Sequence, residues 1–208
     1  MDDDALYASR LELVDFLIEA LHDVPDEAFV ERLLSGEFRT PEGEVNEPLD
    51  HGFAELRAFV AENEGRDPGA VHDDVEREYT RVFVGPRPPV VAHETYYRDD
   101  TDFMGEGLAD VEASYGAAGW SPPEDYPEEN DFVAVELAFL RHLIDRQRAG
   151  AEEAVGFERV FLEEHALRWV EPFTTELREQ TDSRLYVAVA GIYEGLLAFE
   201  DELVAQLG

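Results

Sequence analysis

The sequence predicts an all-α fold, a compact bundle of about nine helices, and three observations carry that expectation. Apolar residues recur three and four positions apart through most of the chain, the spacing that puts them on one face of a helix. Proline and glycine gather between these stretches rather than inside them. No segment alternates apolar and polar residues as a half-buried strand does, and no unit of about 20 to 50 residues recurs.

Taken in order, Leu6, Leu13, Phe16, Leu17 and Leu21 mark a first helix from about 3 to 23. Its acidic start at Asp2 to Asp4 suits the positive end of the helix dipole. Pro25 and Asp26 open a short helix carrying Phe29, Val30, Leu33 and Leu34, which Gly36 ends. Arg39 to Pro48 reads as a loop. Phe53, Leu56, Phe59 and Val60 define a helix from about 48 to 63, and Val71, Val75, Tyr79, Val82 and Phe83 another from about 69 to 83. Between Val84 and Ala92 three prolines remove donors and push their neighbours out of the helical region, so a stiff apolar loop is expected. Thr101 is the expected N-cap of a helix carrying Met104, Leu108, Val111 and Tyr115, which runs to Gly116 and Gly119. After a second break at Ser121 to Pro127, Asn130 or Asp131 is expected to cap a long helix with Val133, Leu137, Leu140 and Ile144 inward. Phe157, Val160 and Phe161 belong to a further helix, and Pro172 is expected to disturb the helix around Trp169 and Phe173. Asp182 is the expected cap of the last helix, whose Val189, Ile192, Tyr193, Leu196, Leu197, Leu203 and Val204 form a broad stripe. The whole chain, 1–208, is read as one domain, with a lobe boundary or hinge near 120–130.

The charge of this chain sits outside that core. Fifty acidic residues face sixteen basic ones, all of them arginine, for a net charge of −34. So many carboxylates repel one another in dilute salt, and at about 1 M salt screening shortens the repulsion to roughly 3 Å, which points to a halophilic host. The alternative is a basic partner. A nucleic-acid partner is not expected, because phosphate contacts need a basic stripe and none exists. The start of the sequence is acidic where a secretory signal is positive, and no apolar run approaches the roughly 18 residues that cross a membrane, so a cytosolic protein is expected.

Absent residue types exclude several chemistries. Without cysteine there is no disulfide, thiolate nucleophile or cysteine-held metal. Without lysine there is no phosphate-binding loop of the Walker type and no Schiff base. Glu19 and His22 make one Glu-x-x-His pair, which a dimetal site in a helical bundle requires twice; no second pair occurs. No cofactor and no catalytic residue is assigned. His165, just before Trp169, reads as a core or helix-end histidine. What stands out is an aromatic and proline-rich loop between helices, suited to gripping a peptide.

Three segments in order carry a resemblance. They are YTRVFVGPRPPVVAHETYY, EENDFVAVELAFL and FLEEHALRWVEPF. Together they resemble the TorD/DmsD/NarJ family of molybdoenzyme chaperones, on Tyr79, Phe83, Gly85, Pro86, Glu94, Thr95 and Tyr97, on Glu129, Asp131, Glu136, Leu137 and Phe139, and on Phe161, Leu162, His165 and Trp169. Phe132 stands where the family usually has histidine, and Thr95 replaces serine.

The resemblance implies a TorD-like bundle that binds the twin-arginine signal peptide, the apo body, or both, of a molybdenum oxidoreductase of the dimethyl sulfoxide, trimethylamine N-oxide or nitrate reductase type. Such a protein assists cofactor insertion and delays export, as a monomer or a domain-swapped homodimer. The peptide-binding residues it implies are Tyr79, Phe83, Gly85, Pro86, Glu94, Thr95, Tyr97, Tyr126, Asp131, Phe132 and Glu136. Two rivals stay open on sequence alone: a small metal-dependent helical enzyme using His22 or His165 with nearby carboxylates, and a structural adaptor.

Overall fold

A computed structural model of the chain describes residues 3–38, 40–41, 43–98, 104–123 and 126–207. Asp2, Arg39, Thr101 and the Met104 side chain lie outside the described residues, and with them the expected Thr101 cap. In chain order the helices are α1 (Asp3–Leu21), α2 (Glu27–Ser35), α3 (Glu47–Glu62), α4 (Pro68–Phe83), the single turn α5 (Glu94–Tyr97), α6 (Met104–Ala117), α7 (Val133–Arg148), α8 (Glu153–Phe161), α9 (Leu167–Gln180) and α10 (Arg184–Leu207). The all-α expectation holds. No strand forms among the described residues, and one isolated antiparallel bridge pairs His93 with Phe132.

Local chemistry explains most boundaries. Asp26 accepts the Phe29 amide at 2.7 Å to start α2, and Gly36 ends it at φ 74°, a conformation that costs a residue with a Cβ but not glycine. Asp67 accepts the Ala70 amide ahead of Pro68 to start α4. Asn46 accepts the Leu49 amide at 3.0 Å to cap α3, and its own amide donates to the Gly195 carbonyl at 2.9 Å, which fastens the start of α3 onto α10. These two helices cross where glycine faces glycine: a methyl group placed on Gly191 would sit 2.8 Å from the Gly52 Cα.

Three expected features are corrected. Neither Asn130 nor Asp131 caps α7; Phe132 occupies that position without a side-chain bond, because the Asp131 carboxylate is engaged elsewhere. Ser183 rather than Asp182 caps α10. Its carbonyl accepts the Val187 amide and its hydroxyl the Leu185 amide at 3.2 Å, while the Asp182 side chain is almost fully exposed. The irregularity assigned to Pro172 lies ahead of it, as a π turn over Leu162–Ala166 in which the Leu167 amide reaches the Leu162 carbonyl; α9 runs through Pro172.

One hydrophobic cluster extends from Leu11 in α1 to Val204 in α10, with Trp169, Tyr115, Tyr186, Tyr193, Phe139, Phe161 and Phe173 wholly inside. A charged knot also sits within it. Arg10 of α1 is 1 % exposed and donates to Glu200 of α10, to Glu158 of α8 and to Gln147 of α7 at 2.9 to 3.1 Å. A single guanidinium thereby ties four helices together.

Candidate functional site

The segment after the proline loop runs back along the start of α7. The Val133 amide donates to the Ala92 carbonyl at 2.9 Å and the Glu94 amide to the Asp131 carbonyl at 3.0 Å. This short pairing brings two groups of candidate residues together. Asp131 is 2 % exposed. Its Oδ1 accepts from His93 Nδ1 at 2.9 Å, and its Oδ2 accepts from the Thr95 amide at 3.1 Å and the Thr95 hydroxyl at 2.5 Å. The carboxylate thus caps α5 from across the fold. Burial alone would raise its pKa; the His93 and Thr95 hydrogen bonds outweigh that and hold it below the ordinary value. His93 answers in kind. Burial opposes its charge, but the Asp131 bond and the carboxylates of Asp131, Glu128 and Glu129 raise it above the usual imidazole value.

A second network lies one residue along. Glu94, wholly buried, accepts from Arg98 Nη1 at 2.7 Å and faces His165 Nδ1 at 3.1 Å. The other ring nitrogen of His165, Nε2, lies 2.8 Å from the Ser114 hydroxyl. Glu136 is also buried and accepts from Trp169 Nε1 at 3.1 Å, while its Oε1 has no hydrogen-bond partner among the described residues. Burial, then the neighbouring Glu94, push the Glu136 carboxyl well above the usual range. The order Ser114, His165, Glu94 has the connectivity of an acyl-transfer triad. Yet Ser114 lies inside α6, where helical bonding occupies the backbone amides around it.

The aromatic candidates divide between interior and surface. Tyr79 is 5 % exposed, packs against Phe83 and Tyr186, and donates to the Leu21 carbonyl at 3.2 Å. Phe83 is half-buried in the same cluster. Tyr97, half-buried, stacks on Trp169 and donates to Glu176. Phe132 is 8 % exposed, between His93 and Tyr126. Gly85 and Pro86 are exposed. The candidates therefore do not line one continuous trough: Asp131, Glu94 and Glu136 are buried with Tyr79, and Tyr126, next to Phe132, borders an open depression.

That depression, about 160 Å³, lies between the end of α1, the connection after α6 and the first two turns of α7. Ile18, Trp120, Pro122, Pro123, Ala134, Val135 and Ala138 line it with His22 and Tyr126, and its surface is wholly apolar. The Tyr126 hydroxyl reaches the His22 carbonyl at 3.3 Å; its partial burial, followed by the nearby carboxylates of Glu128 and Asp23, pushes its pKa up to about 12. An apolar hollow with exposed carboxylates beside it can take an apolar chain that bears a cation. Sequence reasoning found Tyr126 but missed the other walls. Trp120, Pro122 and Pro123 were the available signal, an apolar non-helical run in a strongly acidic chain. A larger hollow, about 670 Å³ between α2 and α3, contains none of the candidates. On α4, His72, Asp73 and Glu76 bring one ligand atom each within 4.8 Å of one another at the surface.

Fold and site together define an all-helical protein with an interior polar lattice and an apolar surface hollow. Residues 42–175 match the family model described as nitrate reductase delta subunit, a span from the loop before α3 into α9 that includes every candidate residue. The chain belongs to that family, which comprises the NarJ- and TorD-like chaperones of molybdoenzyme maturation. No curated protein and no solved structure matches it.

Proposed function

We propose that this chain is a cytoplasmic maturation chaperone that holds the twin-arginine leader of a molybdenum oxidoreductase while the cofactor is inserted, and so delays export. The observation that carries the reading is the apolar depression beside Tyr126, with the carboxylates of Asp23 and Glu128 close to that hydroxyl. A twin-arginine leader joins an arginine pair to an apolar stretch. The hollow suits the apolar part, and the carboxylates suit the guanidinium groups, which prefer charge-assisted bonds to oxygen. Asp131, Glu94 and Thr95 act by positioning: they fasten the proline loop and α5 to α7, whose first turns form one wall, and Glu136 ties α7 to Trp169 of α9. The dimethyl sulfoxide, trimethylamine N-oxide and nitrate reductase types are the client classes this reading covers. No helix among the described residues is long and apolar enough to cross a membrane. The arginine-only basic set and the −34 charge fit a host with molar salt.

Titration with a synthetic twin-arginine leader tests the reading. Saturable binding is expected, lost when both leader arginines are replaced by Gln and also lost in Ala138→Trp, which fills the hollow from its half-exposed edge. Equal binding of the two leaders would overturn it.

A further inference from the structure

The segment that closes α4 is unlike the rest of this surface. Residues 79–93 contain no Asp or Glu, the longest such run in a chain with 50 acidic residues. At its tip stands Arg87, exposed. Every other described arginine holds a carboxylate, a side-chain oxygen or a backbone carbonyl: Arg57 has Thr40, Arg159 the Val204 carbonyl, and the remainder carboxylates. Arg87 alone among the described arginines has no such partner.

The loop that carries it is built to stay in shape. The Val90 amide donates to the Val82 carbonyl at 3.2 Å and pins its base. Gly85 turns the chain at φ 127°, open only to glycine, and Pro86, Pro88 and Pro89 fix their own φ angles. Val84 is 53 % exposed, and Pro86 and Pro89 are exposed on either side of Arg87. A preorganised apolar knob with one unpaired guanidinium loses little entropy on docking. It is also the stretch where a second acidic surface meets no carboxylate belonging to this loop.

We infer that the Val84–Pro89 knob docks on the folded body of the client enzyme, with Arg87 taking a carboxylate of that body as a bidentate pair. This rests on the chaperone reading above and adds a second contact to it, separate from the leader hollow. A polypeptide carboxylate fits better than nucleic acid or an anionic bilayer. One arginine cannot offset the repulsion between a −34 protein and a polyanion, but it can hold a single carboxylate flanked by apolar surface.

The test measures two affinities in parallel: for the leaderless apo catalytic subunit of the molybdoenzyme encoded by the same genome, and for the synthetic leader peptide. Arg87→Glu is expected to weaken body binding by about tenfold or more, Arg87→Gln by less, and both to leave leader binding within about twofold. Arg87 is exposed and makes no hydrogen bond or ion pair to the described residues, so thermal unfolding of both variants should match the parent. Unchanged body binding in Arg87→Glu, equal loss of leader and body binding, or a parent chain that binds the leader and not the body would each overturn the inference while leaving the leader reading standing. A parent that binds neither would overturn both.

Discussion

Asp131 and His93 face each other at 2.9 Å across the junction between the proline loop and α7, with Asp131 almost wholly buried. The carboxylate that sequence reasoning placed at the head of α7 instead closes a turn 36 residues earlier in the chain, through the Thr95 amide and hydroxyl. Asp131 therefore acts through stability. Asp131→Ala leaves the Thr95 amide and the His93 ring without their partner, and a loss of about 2 to 3 kcal/mol is expected in urea unfolding. Asp131→Asn should cost about 1 kcal/mol, because the new amide can accept from Thr95 and donate to the other His93 tautomer. An unchanged midpoint in the Ala variant would contradict this account.

The same pair sets a pH dependence. His93 is raised above its ordinary 6.5, so its contribution is complete below pH 6.5 and is lost as pH rises through its folded value. Asp131 is depressed below 3.8, so its contribution is complete above that value and is lost as pH falls through its folded one. The pair is therefore strongest between those limits, in mildly acid solution. NMR titration should place the His93 midpoint above 6.5 in the parent and lower in Asp131→Asn, where the charge that holds it up is gone.

Features set by neighbours in the chain were legible. Asp26, Gly36 and the prolines of 84–92 mark their boundaries by local sterics and local hydrogen bonds, which a linear sequence displays. The order of three loose motifs was enough to show the family. Features set by distant neighbours were not. Asp131 looks like a cap because it precedes an apolar run, and only the chain reversal at Ala92 to Glu94 gives it a better partner. Asp182 and Ser183 are both capping residue types at adjacent positions, and the path of the backbone decides between them. Nothing in the sequence pairs Arg10 with residues 148 and 190 positions away. The depression was half legible: Tyr126 belongs to it, but its walls come from three separated segments.

The Arg10 knot yields a second pH effect, of opposite origin to that of Asp131. One guanidinium meets two carboxylates, and Glu158 is pushed up to about 8 by burial first and then by the neighbouring Glu200. An acid raised from 4.5 contributes stability that falls as pH climbs between 4.5 and about 8. Glu158→Gln copies the protonated form: its amide can donate to Glu200 and its oxygen accept from Arg10 and Gln147. Near-parental stability is expected at pH 6, with a gain over the parent above pH 8 and a flatter profile between. Arg10→Met, which strands the carboxylates, should cost about 3 to 5 kcal/mol. A parent profile already flat from pH 5 to 9 would place the proton elsewhere.

The crossing of α3 and α10 allows two opposed effects of one substitution to be weighed. Replacing a mid-helix glycine by alanine gains about 0.5 to 1 kcal/mol from lost freedom of the unfolded chain and better helix propensity. At Gly191 the new methyl would lie 2.8 Å from the Gly52 Cα, 2.9 Å from its nitrogen and 2.9 Å from the Pro48 carbonyl oxygen. All three are backbone atoms, so relief requires α3 to move, and Asn46 holds its start to α10 through the Gly195 carbonyl. Overpacking of this kind costs about 1 to 3 kcal/mol, which exceeds the gain, so Gly191→Ala should lower the unfolding midpoint. Gly156 supplies the control, since it lies inside α8, is exposed, and a methyl there meets nothing within 4 Å. Gly156→Ala should raise the midpoint by the propensity gain alone. If both substitutions stabilised equally, the close approach of α3 and α10 would not exist in solution, and the attachment of α3 to the last helix would have to be redrawn.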